Sequence, residues 1–190
     1  MFSFAIERAL RAAHAAHQGQ TRKGGDVPYV VHPLHAAVML ARLGGSETAI
    51  QAALLHDVVE DCEEWTVERV ADEFGVEVAG IVAELTEDKS LTWEARKRAA
   101  VEHVAHLSPD ALLVKAVDKL HNLETLVSDL SVADDPGAVW DSFSRGPEET
   151  LAMSRALVDA LAPRVTPRLR KALLDAVKAL GESVGGDSRG

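Results

Sequence analysis

The stretch AALLHDVVED, residues 52–61, joins an apolar run typical of a protein core to a histidine and three carboxylates. In a helix, His56 and Glu60 lie four residues apart, as do Asp57 and Asp61, so these side chains line neighbouring stripes of one helix face. Like charges at this spacing repel each other and destabilise the helix unless a cation neutralises them. Imidazole together with carboxylate suits a transition ion such as Mn²⁺ or Fe²⁺ better than Ca²⁺. The stretch therefore predicts a metal site on a helix.

The sequence on either side of this stretch has the spacing of amphipathic helices, and no segment alternates as a half-buried strand does. Capping residues and glycines mark where most helices begin and end. The predicted helices are one ending near Gly19, one at 33–43, one capped by Ser46, one from Thr66 to Phe74, one around 78–85, one beginning at Thr92, one at Ser108–Val127, and two beginning at Pro147 and Pro167. Residues 131–147 form a long connection or short irregular helices. We therefore predict a single all-α domain over residues 1–181 and a flexible C-terminal tail at 182–190.

Composition disfavours several classes of function. The 190 residues carry 30 acidic against 20 basic side chains, whereas non-specific binding to nucleic acid relies on a basic surface. No apolar run approaches the roughly 20 residues that span a bilayer, and the N-terminus lacks the layout of a signal peptide. The single cysteine, Cys62, allows no intrachain disulfide. We expect a cytoplasmic protein that binds neither nucleic acid nor membranes, as a monomer or a homodimer.

Two residues far from the opening stretch are further candidate metal ligands. His32 lies where a glycine-rich loop meets a helix, and Asp118 lies inside an apolar helical stripe, where an unpaired carboxylate is costly to bury. Each has a simpler interpretation, because His32 could cap its helix and Asp118 could pair with Lys115 or Lys119. The acids that follow His56 could likewise be a solvated surface. The joint order of HP, LLHDVVED and KAVDKLHNL favours a shared site.

The order of four segments resembles that of the HD superfamily of metal-dependent phosphohydrolases. The segments are AHQGQTRKGGDVPYVVHP, AALLHDVVED, TEDKS and LVKAVDKLHNL. More narrowly, the chain resembles the hydrolase domain of the Rel/Spo-type alarmone enzymes and the stand-alone small alarmone hydrolases. The resemblance covers residues from about 5 to 130 and implies an HD-domain helical bundle. It also implies one Mn²⁺ ion, or another transition ion such as Fe²⁺, held by His32, His56, Asp57 and Asp118.

The resemblance further implies a reaction and the residues that carry it out. The reaction is removal of the 3′-pyrophosphate from guanosine tetra- or pentaphosphate, which yields GDP or GTP and pyrophosphate. The implied catalytic pair is Glu60 and Asp61, which we expect to orient and deprotonate a water molecule. The residues expected to contact this small-molecule nucleotide are Arg22, Lys23, Lys89 and Asn122.

One departure from the family pattern leaves the substrate open. The family often has an arginine two places after the asparagine of DKLHNL, where this chain has Glu124. A phosphohydrolase acting on another nucleotide, for example by removing the 2′-phosphate of NADPH, therefore stays an alternative. A non-catalytic nucleotide-sensing module is a second alternative, less favoured because no ligand or catalytic acid is missing. The histidines expected to be surface or capping residues rather than ligands are His14, His17, His103, His106 and His121.

Overall fold

The chain, described here from a computed structural model over residues 2–186, folds within that range into eleven α-helices and no β-strand. The helices are α1 (Phe4–Ala16), α2 (Val31–Arg42), α3 (Glu47–Leu55), α4 (Val58–Asp61), α5 (Val67–Phe74), α6 (Val76–Leu85), α7 (Trp93–His103), α8 (Pro109–Val132), α9 (Pro136–Trp140), α10 (Pro147–Leu161) and α11 (Pro167–Gly186). The prediction of an all-α fold is confirmed. Among these helices, none has the length and apolar character needed to cross a bilayer.

Polar side chains cap the helices where the sequence predicts. The side-chain oxygens of Ser46, Thr66, Thr92 and Ser108 each accept a hydrogen bond from the backbone N–H three residues later. A cap of this kind contributes about 1 kcal/mol to helix stability. Because the cap and its partner lie within one turn, such boundaries can be read from local sequence alone.

Helix α8 occupies the centre of the fold. It packs against α2, α3, α6 and α11, so its apolar side is covered by several neighbours. Its buried side chains are Ala111, Leu112, Val114, Ala116, Val117, Leu120, His121, Leu123, Leu126 and Leu130. Fully burying one leucine contributes about 1.5–3 kcal/mol, so this stripe holds α8 firmly against its neighbours. The same packing carries Asp118 to the point where α2 and α3 meet α8.

The opening stretch is not one continuous helix, so that prediction is wrong. Helix α3 ends at Leu55, a turn contains His56 and Asp57, and α4 begins at Val58. The His56 Nδ1 atom lies 2.8 Å from the carbonyl oxygen of Ala53, which a continuous helix would use for the backbone N–H of Asp57. The break turns the histidine and the following aspartate toward α2 and α8.

In the C-terminal half, the helices are longer or more numerous than the sequence predicts. Helix α8 continues five residues beyond the predicted end at Val127, and the short helix α9 lies within 131–147. Helix α11 runs through Gly186, so the expected boundary at residue 181 falls inside a helix. Residues 187–190 of the predicted tail lie outside the described residues.

Candidate active site

Three helices that are distant in sequence bring metal-ligating atoms together. His32 lies in the first turn of α2, His56 follows α3, and Asp118 lies in the middle of α8. The Nε2 atoms of His32 and His56 are 3.3 Å apart, and Asp118 Oδ1 lies 3.2 Å from the first and 3.8 Å from the second. One donor atom from each residue lies within 4.8 Å of the other two. These three residues can hold a metal ion.

Asp57 lies beside this group. Its Oδ2 atom is 3.2 Å from His56 Nε2 and 3.6 Å from His32 Nε2. The same oxygen accepts a hydrogen bond of 2.7 Å from the Tyr29 hydroxyl. We call this candidate metal site, formed by His32, His56, Asp57 and Asp118, the metal centre. The structure thus brings all four predicted ligands to one place, with Asp57 at the edge of the tightest group of three.

The electrostatics of the metal centre favour a positive charge. Burial opposes charging of His56, but the carboxylates of Asp57 and Asp118 raise the pKa of its imidazole to about 9. Burial also opposes ionisation of Asp118, yet hydrogen bonds and charge from His32 and His56 hold the pKa of its carboxyl well below its usual range. A divalent cation would satisfy the same demand for positive charge.

The alternative partners of Asp118 are engaged elsewhere. Lys115 Nζ lies 3.6 Å from a carboxylate oxygen of Glu87, and Lys119 Nζ donates a 2.8 Å hydrogen bond to Ser154 Oγ. Asp118 itself accepts a 2.6 Å hydrogen bond from Asn122 Nδ2. The interpretation of Asp118 as half of a lysine ion pair is therefore wrong.

The two predicted catalytic acids, adjacent in sequence, have different surroundings. Asp61 has a hydrogen-bond donor at each oxygen: Lys89 Nζ lies 2.6 Å from Oδ1 and the Tyr29 hydroxyl lies 3.3 Å from Oδ2. Glu60 is half-buried, and its Oε2 accepts a 3.3 Å hydrogen bond from the backbone N–H of Glu87. Burial, followed by the charge of Glu87, raises the pKa of Glu60. Glu60 therefore retains a proton to higher pH than an ordinary glutamate.

The metal centre and both acids line a cleft of about 470 Å³. Although the chain is acidic overall, six basic side chains also line this cleft: Arg22, Lys23, Lys89, Arg96, Lys97 and Lys115. Asn122 lines it as well, so all four residues expected to contact the nucleotide face the same space. The same cleft is lined by six acidic side chains: Asp57, Glu60, Asp61, Glu87, Asp118 and Asp129. The basic side chains can bind the phosphates of a nucleotide, and a bound cation would offset part of the acidic charge.

The loop that carries Arg22 is held in place by a short antiparallel bridge. Thr21 pairs with Pro28, and the backbone N–H of Tyr29 donates a 2.9 Å hydrogen bond to Gln20 O. Arg22 Nη2 donates a 2.7 Å hydrogen bond to Asn122 Oδ1. Because Asn122 also donates to Asp118, a continuous set of hydrogen bonds joins the basic loop to the metal centre.

Two residues of the site, Tyr29 and His121, were not predicted from the sequence. Tyr29 lies inside the PYVVHP segment but received no role, although its hydroxyl touches both Asp57 and Asp61. His121 was expected on a helix surface or at a cap, yet it is only 7% exposed and lies against His32. Its position three residues after Asp118 places it on the same helix side, which was the available signal. Glu124 is exposed and is not among the residues that line the cleft.

Known proteins resemble this chain in sequence and in structure. Residues 9–143 match the family described as HD domain. The chain is 46% identical over 124 residues to the guanosine-3′,5′-bis(diphosphate) 3′-pyrophosphohydrolase MESH1 of Xenopus tropicalis. This alignment covers 64% of this chain and 69% of the relative. The human MESH1 protein is 44% identical over 123 residues, covering 64% of this chain and 68% of the relative. A solved structure of a metazoan SpoT orthologue, described as hydrolysing ppGpp, aligns with a TM-score of 0.81 and 33% identity over 95% of this chain and 98% of that chain.

Proposed function

The chain belongs to the HD-domain family, and from this premise we propose that it is a metal-dependent guanosine-3′,5′-bis(diphosphate) 3′-pyrophosphohydrolase. The observation that supports this most strongly is the position of the metal centre, next to Glu60 and Asp61 and inside a cleft that six basic side chains also line. A neutral substrate would not need these cationic side chains. A nucleotide with phosphates at both ends would use them.

The donor set suits a transition ion, and Mn²⁺ is our proposal. His32, His56, Asp57 and Asp118 would hold it through two imidazoles and two carboxylates, a mixture that favours such ions over Ca²⁺. When bound, such an ion polarises a phosphoryl oxygen and makes water a stronger nucleophile at neutral pH. The imidazoles of His32 and His56 are 1% and 6% exposed, so an ion bound by them would be largely shielded from solvent on that side.

The protein's own residues account for the proton movements. The oxygen of a water molecule forms a bond to the phosphorus next to the ribose 3′ oxygen, and the bond between that phosphorus and the 3′ oxygen breaks. We assign removal of the water's proton to Glu60 and Asp61, since Asp61 is already held as an acceptor by Lys89 and Tyr29. The pair can return a proton to the 3′ oxygen, so GDP or GTP leaves with a hydroxyl and pyrophosphate is released.

The direct test is incubation of the purified protein with guanosine tetraphosphate, with and without Mn²⁺, followed by identification of the products. We expect GDP and pyrophosphate in equal amounts, only when the metal is supplied. Orthophosphate release from NADPH without turnover of guanosine tetraphosphate would contradict the proposal. Binding of the nucleotide without any turnover in the presence of Mn²⁺ would also contradict it, because it indicates a sensing module.

Replacing Arg22 by alanine is expected to raise KM for guanosine tetraphosphate by about 10–100-fold, with a smaller change in kcat. The reason is that a hydrogen bond to a charged group contributes about 1.5–3 kcal/mol to binding, and Arg22 lines the cleft without being one of the predicted metal ligands. The measurement is steady-state kinetics at saturating Mn²⁺. Arg11→Ala is the matched control, because Arg11 is an exposed arginine on α1 that pairs with Glu7. An unchanged KM in Arg22→Ala would remove this residue from the nucleotide site.

Replacing Glu87 by glutamine is expected to shift the acid limb of the kcat/KM profile to lower pH. Glu60 must be ionised to accept a proton, and its pKa is raised above the ordinary 4.5 by burial and then by the Glu87 charge. Activity should therefore fall as pH falls through this raised pKa. Glutamine removes the charge and keeps the backbone N–H that bonds Glu60. The measurement is a pH profile at saturating Mn²⁺, with the exposed Glu124→Gln as control; an unmoved limb would exclude Glu60 as the titrating group.

A further inference from the structure

Three imidazoles lie in a row through the metal centre, and only two of them have a predicted role. His56 Nε2 is 3.3 Å from His32 Nε2, and the other nitrogen of His32, Nδ1, is 3.0 Å from Nδ1 of His121. The planes of the His32 and His121 rings cross at 63°, with centroids 4.7 Å apart. His121 is buried on α8, one turn after Asp118, so the contact is made inside the protein and not through solvent.

The proton between His32 and His121 has only one arrangement that leaves His32 able to bind a metal. A neutral imidazole carries one N–H donor and one unprotonated acceptor nitrogen. His32 Nε2 faces the metal centre, so it must be the unprotonated nitrogen if it is to be a ligand. His32 Nδ1 then carries the proton and donates it toward His121. His121 must accept at Nδ1 and carry its own proton on Nε2.

The tautomer of the second imidazole of the metal centre, that of His56, is fixed in the same way by a different group. His56 Nδ1 lies 2.8 Å from the carbonyl oxygen of Ala53, which can only accept, so in the neutral form of the ring that binds a metal this nitrogen carries the proton and Nε2 is free. A backbone carbonyl is a common partner for the outer nitrogen of a metal-bound histidine. For His32 the corresponding position is occupied by another imidazole. The tautomers of His32 and His56 are therefore fixed by two different kinds of acceptor, an imidazole nitrogen and a backbone carbonyl oxygen.

We propose that His121 is a positioning residue that accepts the Nδ1–H of His32 and so fixes the tautomer and the ring orientation of this metal ligand. The inference rests on the metal centre of the proposed function, but not on the identity of the nucleotide. The other contacts of His121 do not replace this bond, because Thr125 Oγ1 is 3.4 Å from the same nitrogen and the His35 ring only packs against it at 5.0 Å. Loss of such a partner typically lowers metal affinity by about 10–100-fold.

The variants that test the proposal distinguish the role of His121 as a hydrogen-bond acceptor from its role in packing. His121→Phe keeps a ring on α8 and removes the acceptor, so we expect its affinity for Mn²⁺ to fall by about 10–100-fold. His121→Gln restores an acceptor oxygen and is expected to recover part of the loss. His35→Phe is the matched control, because His35 packs against the same ring but is exposed and makes no hydrogen bond to His32 among the described contacts. Titration calorimetry of the purified full chain with MnCl₂ gives the affinities, and thermal melts of the metal-free proteins show whether each variant folds.

A second measurement does not depend on any variant. Nitrogen-15 spectra of the histidine rings in the wild-type protein loaded with diamagnetic Zn²⁺ report which nitrogen carries the proton. We expect a proton on Nδ1 of His32 and on Nε2 of His121. A proton on Nδ1 of His121, or a folded His121→Phe that binds Mn²⁺ as tightly as wild type, would overturn the inference while leaving the proposed function in place. A wild-type protein that binds no divalent ion would overturn both.

Discussion

Asp118→Asn is expected to leave a folded protein with no measurable hydrolysis of guanosine tetraphosphate. The carboxylate lies 3.2 Å and 3.8 Å from the two imidazoles of the metal centre, and asparagine keeps its shape while removing its charge. We expect affinity for Mn²⁺ to fall by at least about 100-fold, more than for the loss of a residue that only supports a ligand. Turnover should fall by at least about 1000-fold, because the ion contributes to both the nucleophile and the phosphoryl group.

The experiment measures metal content by mass spectrometry and kcat/KM on the same preparation. Asp159→Asn is the control, because Asp159 is an exposed aspartate on α10, and it should match wild type in both measurements. Removing the metal from wild type with a chelator should reproduce the Asp118→Asn phenotype, and added Mn²⁺ should restore only the wild type. If Asp118→Asn keeps a full metal content and a tenth of the activity, Asp118 is not a ligand.

Glu60→Gln is expected to lower kcat by about 10²–10⁴-fold while metal content stays near that of wild type. Glutamine can still accept the hydrogen bond from the backbone N–H of Glu87, so the local structure should persist. It cannot take a proton from water. Glu60 also lies outside the three residues whose donor atoms converge for a metal, which is why we separate its role from theirs.

The control for this second variant comes from the same acidic stretch. Glu63→Gln removes an exposed carboxylate three residues later and should leave kcat unchanged. Metal content and kcat are measured together, since the two interpretations of Glu60 differ in the first quantity. Loss of the metal along with activity would mean that Glu60 is itself a ligand and that our assignment is wrong.

The helices were predictable because their signals are local. Ser46 and Ser108 each cap a helix through a bond to a residue within the same turn, so both boundaries followed from short sequence patterns. The break at His56 did not follow from such a pattern, because the apolar periodicity continues across it. The competing contact, from the imidazole to the carbonyl of Ala53, involves a side-chain orientation that residue spacing does not report.

In the candidate site, too, some features could be predicted from the sequence and others could not. His32, His56, Asp57 and Asp118 were named from motif order, and the structure brings them together. Glu124 lies two residues after Asn122 on α8, and it is exposed to solvent whereas Asn122 lines the cleft. Rotation about a helix axis decided this difference.

By itself, the sequence determined that this chain is helical, where most of its helices begin, and which four residues could hold a metal. The helices depend on caps and apolar spacing that lie within a few residues of one another, whereas the four candidate ligands were identified from the order of motifs that lie far apart in the sequence. Only the tertiary structure decided which nitrogen of each histidine faces the metal centre, that Tyr29 joins Asp57 to Asp61, and that His121 supports His32. These contacts join α2 and the loop before it to α8, to the turn after α3 and to α4, and the relative placement of these elements is set by the packing of the whole core.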